Sequence, residues 1–416
     1  MKKKGSYILG WIICSIAALF YCYEYILRIE PSVIAPQLMH FYHVSAAGLG
    51  ILTAMYYYAY TPLQLIVGVL TDRFGSRKIL LFALLMCVIG CCFIYYSHSV
   101  QLASIGRFLI GAGSAFAFVG VLRLAAIWLP ARHFALFVGL ATGLGMVGAM
   151  FGDIGLSWAM RHMSWHSILA MSGLVGLILL PLFFVMVHEK SVDNTAVEPL
   201  ADIAMWPAIK TAMTNKHILK SGIIGCVMYL SLSVFADMWG VSYLQAMKDY
   251  SLEAASRVNA MVYLGWLVGA PISGYLSGLL QNRRWILVFG NLCAFMCSLL
   301  LLNASHFSHQ ALMYLCFFFG FSCSVEVLVF AVAKDVMPKE LVGTAIGIVN
   351  FLVMLGGMII LPLVGFLLDY FWQGDMQQGV RHYTYFAYHN ALLTIPVFLL
   401  LGALLSFTLD RTYRAK

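Results

Sequence analysis

Apolar runs of bilayer-crossing length recur through all 416 residues of this chain, interrupted only by short polar breaks. A helix spans the hydrocarbon layer with about 20 apolar residues, because each backbone N–H and C=O must find its partner within the segment. The runs predict spans near 7–38, 46–71, 78–97, 101–127, 134–157 and 166–187, then 218–246, 253–280, 285–303, 309–333, 340–369 and 386–409. The expected fold is an all-α membrane protein of twelve transmembrane helices. Composition agrees: 62% of the residues are hydrophobic and 10% charged, against roughly 45–50% and about 25% in a soluble domain. The start MKKK leads into an apolar run too long for a signal peptide and without a small-x-small cleavage pattern, so it reads as a retained first helix.

The longest polar stretch separates six spans from six. It predicts residues 1–187 as an N-terminal six-helix bundle, 188–217 as a cytoplasmic linker and 218–416 as a C-terminal six-helix bundle. The net charge of +8 follows the membrane rather than a nucleic-acid partner. With the N-terminus inside, 18 of the 25 Lys and Arg fall on the cytoplasmic side, four (Arg161, Lys248, Arg257 and Arg381) on the other, and Arg28, Arg107 and Arg123 within spans. Positive-inside bias then places both termini in the cytoplasm. Ten cysteines lie in apolar runs with no Cys-x-x-Cys and no His at zinc spacing, and read as small buried hydrophobes; no metal or other cofactor is expected.

A weak internal repeat supports the six-plus-six division: GVLTDRFGSRK at 68–78 aligns with GYLSGLLQNRR at 274–284, 206 residues on. In the first copy Gly68 permits close helix approach, Gly75 a tight turn, and Asp72 can cap a helix or pair with Arg73 or Arg77. The second copy has Gly278 where the first has Asp72, which predicts one complete and one reduced latch. The 68–78 segment resembles the signature loop of the major facilitator superfamily. Arg107 with Gly111 and Gly113 is similar to that family's fourth-span pattern, and Gly139, Gly143, Gly145, Gly148 and Gly152 to its fifth-span glycine motif without the usual proline. The resemblance implies two pseudo-symmetric six-helix bundles, spans one, four, seven and ten around a central cavity, alternating access, and a cytoplasmic gate at Gly68, Asp72, Arg73, Gly75 and Arg77.

Ionisable groups inside spans cost several kcal/mol unless paired or hydrated, so each is a site candidate. Span one carries Glu24 and Arg28 at i and i+4, flanked by Tyr21, Tyr23 and Tyr25. A self-neutralising ion pair is one reading. The other is a site in which Arg28 forks a substrate carboxylate while Glu24 attracts an ammonium or carries a coupling proton. Arg107, Asp153, Asp237 and Glu326 are further charged candidates, with Tyr57 among the phenols at 56–60 and Asn350 and Trp266 as lining residues of the other half. Outer histidines such as His40 and His166 read as interfacial.

No Walker-type loop, Gly-x-Ser-x-Gly or His-Glu-x-x-His occurs, so neither an ATP-driven pump nor an enzyme is expected. The stretch Tyr23 to Ser32 resembles the start of the phagosomal amino-acid and nutrient transporters of intracellular bacteria. That resemblance implies a monomeric secondary transporter of the bacterial inner membrane carrying an amino acid or similar zwitterion, proton-coupled or facilitated. A drug or siderophore exporter of the same fold and a non-transporting sensor remain alternatives.

Overall fold

The computed structural model describes residues 2–188, 205–280, 282–338, 341–377 and 379–409, with the side chains at 2–7, 72, 131, 132, 135, 205 and 206 left aside. Eleven helices are long and apolar enough to cross a membrane, and a pair bent by 110°, Ala35–Tyr42 with Ala46–Leu63, supplies a twelfth. The first half runs Lys2–Val33, the bent pair, Val67–Phe74, Ser76–Tyr96, Val100–Ser114 with Ala117–Trp128, Ala131–Ala159 and Trp165–Met186. The second runs Lys216–Leu230 continued to Lys248, Leu252–Leu280, Arg283–Leu302, His309–Cys323 continued to Val336, Val342–Tyr370, and Tyr385–Leu392 with Thr394–Phe407. Most of the expected linker, residues 189–204, lies outside the described residues.

Local chemistry sets the boundaries. Ser99, Ser164, Asn215, Asn282 and Ser308 each accept a hydrogen bond from an N–H in the first turn that follows, satisfying a donor the helix cannot. Span two was expected to run unbroken from 46 to 71. It stops at Leu63 instead, because Pro62 has no N–H to bond back into the preceding turn. Span one likewise ends at Val33, two residues after Pro31. Three other spans lose α-helical regularity inside protein: span four at Ala115 and Phe116, span seven as a π-helix over Ser231–Trp239, and span ten as a 3-10 turn over Ser324–Val327. Non-helical backbone at membrane depth survives only where protein or a cavity surrounds it.

Burial sorts the spans as the resemblance implied. In spans one, four, seven and ten, 72, 67, 78 and 67% of the most apolar window is buried in protein; in spans three, six, nine and twelve the shares are 44, 33, 44 and 44%. The latter expose Phe82, Leu177, Ile178, Phe184, Phe289 and Leu404 to what must be lipid. The repeat is also visible in three dimensions. A Cβ on Gly111 of span four would lie 2.0 Å from the Tyr56 carbonyl of span two, and one on Gly320 of span ten 2.0 Å from the Val262 carbonyl of span eight. Tyr56 and Val262 are 206 residues apart, the offset of the signature segment. Gly68 and Gly278, by contrast, border open space, so close packing is not what Gly68 provides. Gly75 does make the tight turn, at φ 84°.

Gly111→Ala and Gly320→Ala should each destabilise the protein by about 1–3 kcal/mol or more, since backbone must move to admit the methyl group. Gly68→Ala and Gly274→Ala, facing open space, should leave it unchanged. Thermal unfolding in detergent checks this, and equal melting temperatures for all four would remove the close-packing argument.

Candidate functional site

Helical spacing puts Glu24 and Arg28 one turn apart on the same face of span one, and both are buried, at 0 and 3% exposure. Arg28 Nη2 lies 3.1 and 3.2 Å from the two Glu24 carboxylate oxygens. Tyr56 of span two completes a triangle: its hydroxyl accepts from Arg28 Nε at 3.1 Å and Nη2 at 2.9 Å, and donates to Glu24 Oε2 at 2.9 Å. Arg28 Nη1 reaches into the other half and donates to the Tyr229 hydroxyl of span seven at 2.9 Å. The guanidinium carbon sits 4.4, 5.1 and 5.3 Å from the ring centres of Tyr25, Tyr56 and Tyr60. This is a caged cation with aromatic faces, a carboxylate and two hydroxyls around it.

A second carboxylate belongs to the same region. Asp237, on the π-helical stretch of span seven, accepts from Tyr57 of span two at 3.0 Å and from Tyr263 of span eight at 2.9 Å. Tyr56 faces Arg28 and its chain neighbour Tyr57 faces Asp237, so span two serves both groups. Glu24, Arg28, Tyr25, Tyr57 and Asp237 are thus brought together as one polar core between the halves.

Three other candidates lie apart from it. Arg107 does not contact either carboxylate of the core: it donates to the main-chain carbonyls of Leu27 at 2.8 Å and Arg28 at 3.4 Å and lies 5.4 Å from the Tyr56 ring centre. It holds the backbone of span one beside Arg28, and with Glu30 it lines a small enclosed cavity inside the first half. Glu326 is buried in the 3-10 turn of span ten, where no hydrogen bond or ion pair reaches it among the described residues. Asn350 donates to Gln64 Oε1 at 2.8 Å, tying span eleven to the break in span two. Trp266 bonds Ser231 at 3.2 Å.

At the signature loop the Asp72 side chain lies outside the described residues. Arg73 stacks near Phe74 at 5.5 Å, and Arg77 donates to the Phe184 carbonyl of span six at 2.8 Å. The second copy is less reduced than the loss of its acid suggested: Arg283 pairs with Asp335 of span ten. Sequence reading missed Tyr229, Tyr263, Glu30 and Asp335. A tyrosine in an apolar run carries no mark of its partner, whereas Glu30, two residues from Arg28, was visible as a third charge on span one.

Polar contacts gather at the end opposite the 68–78 loop. Asp369 of span eleven accepts from Ser45 at 2.6 Å, from the Ala47 N–H at 3.3 Å and from Tyr383, and pairs with Arg381 at 3.2 Å. Arg161 after span five pairs with Glu253 of span eight at 3.1 Å. Among the described residues no group of His, Cys, Asp and Glu is arranged to hold a metal.

Removing one member of a buried ion pair strands the other charge at a cost of about 3–5 kcal/mol, whereas replacing both is close to neutral. Glu24→Leu should therefore lower thermal stability strongly, and Glu24→Leu with Arg28→Met should recover most of the loss. Unfolding of the purified variants measures both. A double variant no better than the single would show that Arg28 draws its stability from the tyrosines.

The model of the Major Facilitator Superfamily matches residues 13–361 and 251–416. A probable galactarate/D-glucarate transporter of Bacillus subtilis is 24% identical over 387 residues, 84% of this chain and 83% of that protein. A D-galactonate transporter of Escherichia coli is 24% identical over 373 residues, covering 82 and 85%. A probable sulfoacetate transporter of Cupriavidus necator is 23% identical over 377 residues, covering 86 and 87%. The fold is that of a bacterial homologue of the human lysosomal transporter Spinster, crystallised inward-facing and unoccupied, with a TM-score of 0.80, 15% identity and 96% of both chains covered. The chain belongs to the major facilitator superfamily and is a multi-pass membrane transporter.

Proposed function

We propose that the protein takes up a small hydroxylated organic anion, of the sugar-acid class, together with a proton. The observation that carries this reading is the Arg28 cage: a buried guanidinium whose neighbours are one carboxylate, phenol hydroxyls and aromatic faces. Arg28 is the fork for a substrate carboxylate, and Glu24 holds that place while no substrate is bound. A proton on Glu24 cancels its hold on Arg28 and frees the guanidinium for the incoming anion. The buried charge then stays balanced when one carboxylate replaces another, which couples one proton to one carboxylate. Tyr25, Tyr56 and Tyr229 offer hydroxyls and ring faces to a polyol chain, and Asp237 accepts from its hydroxyls once Tyr57 or Tyr263 gives way.

The relatives named above carry galactarate, glucarate, galactonate or sulfoacetate, all anions without an ammonium group. This favours an acid over the amino acid that the first-span resemblance implied. A drug exporter would need a broader, more apolar site than six phenols, two acids and an arginine provide. The remaining parts of the reading are a monomer in a bacterial inner membrane, both termini in the cytoplasm, bundles 1–187 and 218–416 joined through 188–217, and the 68–78 loop as the cytoplasmic gate. On that orientation the end that carries Asp369, Arg381 and the Arg161–Glu253 pair faces outward.

Uptake of labelled galactonate, glucarate or a hexuronate into proteoliposomes should rise as the outer pH falls below the inner pH. Arg28→Lys should raise KM roughly tenfold or more, the loss of a charge-assisted bond of about 1.5–3 kcal/mol. Glu24→Gln should abolish stimulation by the pH gradient while leaving counterflow exchange. Stimulation retained in Glu24→Gln would move the proton to Glu326 or Asp237, and uptake of amino acids alone would overturn the substrate class.

A further inference from the structure

The transport cycle outlined above leaves Asp153, Glu30 and Glu326 unused, all buried acids. Asp153 of span five and Asn259 of span eight are both fully buried, and they meet across the two halves, with the Asn259 amide donating to Asp153 Oδ2 at 2.5 Å. The same amide nitrogen donates to the Ala236 carbonyl of span seven at 2.9 Å, which fixes which way the Asn259 side chain is turned. The other oxygen of each group, Asp153 Oδ1 and Asn259 Oδ1, has no hydrogen-bond partner among the described residues. An ionised Asp153 would therefore hold a buried charge with half of its carboxylate unsatisfied, which costs more than a neutral group left in the same state. A proton on Asp153 removes that charge.

The surroundings offer an ionised Asp153 little else. Span one, packed on this part of span five, presents Cys22 at Gly148 and Ile29 at Gly152. The titratable groups that face Asp153 are Asp237 of span seven and Tyr263 of span eight, an acid and a neutral phenol. Arg28 is taken up by Glu24, Tyr56 and Tyr229. Asn259, Tyr263 and Trp266 follow one another on a single face of span eight and bond Asp153, Asp237 and Ser231 in turn, so the pair is the first rung of a polar ladder that leads into the candidate site.

We propose that Asp153 is a neutral carboxylic acid in this conformation and forms, with Asn259, a proton-dependent latch that holds spans five and eight together. The proton is taken from water when the two spans are apart, and it cannot leave while they are closed. Deprotonation disfavours closure, because closing would bury a carboxylate with one oxygen unsatisfied and no cation beside it among the described residues. The latch sits below the Arg161–Glu253 pair, and its meaning for transport rests on the alternating-access reading given above.

Infrared spectroscopy of the reconstituted protein tests this without any substrate, so a wrong substrate class does not affect it. Wild type minus Asp153→Asn should show the C=O stretch of a protonated carboxylic acid at neutral pH, and transfer to D2O should shift that band slowly. Asn259→Ala keeps Asp153 but removes the amide that donates to it. The band should then move to higher frequency and exchange faster, which provides a reading even if Asp153→Asn fails to fold. An unchanged acid region in Asp153→Asn, or a wild-type band that exchanges as fast as exposed groups, would overturn the proposal.

Discussion

The charge of Arg28 is the constraint around which the rest of the structure is arranged. A guanidinium at membrane depth costs several kcal/mol to desolvate and cannot shed its proton, so its surroundings must neutralise it and occupy its five N–H groups. Glu24, one turn away, supplies the charge. Tyr56 bridges both, accepting from the cation and donating to the anion. The phenol run of span two then follows from geometry: Tyr56 and Tyr60, one turn apart and stacked at 5.5 Å, face span one, while Tyr57, next in sequence, turns to Asp237. Because the cage is complete, an anion can enter it only by displacing one that is already there.

That exchange needs helices that are rigid within each half and separable between halves. Rigidity comes from contacts with no side chain in them. Gly111 against the Tyr56 carbonyl and Gly320 against the Val262 carbonyl lock spans two and four, and eight and ten, at distances that no other residue permits. Adaptability is concentrated where hydrogen bonding departs from the α pattern. The π-helical stretch widens span seven at Asp237, and the 3-10 turn tightens span ten at Glu326. Both irregular segments carry an acid, and both lie in spans that are mostly surrounded by protein.

What the sequence made legible was whatever the bilayer forces on a chain. Span number and the pairing of Glu24 with Arg28 follow from the cost of polar groups in hydrocarbon, the Gly75 turn follows from glycine's freedom at positive φ, and the buried role of spans one, four, seven and ten came with the resemblance to the superfamily. What it hid were partners fixed by tertiary packing. Tyr229 and Tyr263 look like any interfacial tyrosine until the halves meet. Arg107 was visible as a charge in a span, but its bonds to the main-chain carbonyls of Leu27 and Arg28 were not. The break at 64–66 was obscured by apolar residues continuing past Pro62, and the acid that partners Arg283 came from span ten rather than from the aligned loop position.

The end opposite the 68–78 loop shows how unequal polar contacts can be. Arg161 is largely exposed in its pair with Glu253, and Arg381 is half-exposed in its pair with Asp369. Exposed pairs of this kind contribute about 0–1 kcal/mol each, too little to hold two six-helix bundles shut. The larger resistance to opening lies beneath them. Between spans two and eleven it comes from small-residue packing, where Gly50 abuts Pro362, Gly357 abuts the Tyr57 ring and Gly365 abuts the Ala46 carbonyl. Between spans five and eight it comes from the buried Asp153–Asn259 contact. In the latch proposed for Asp153 the second seam, unlike the first, is governed by charge, so a single proton there would bias which side of the membrane the cavity faces.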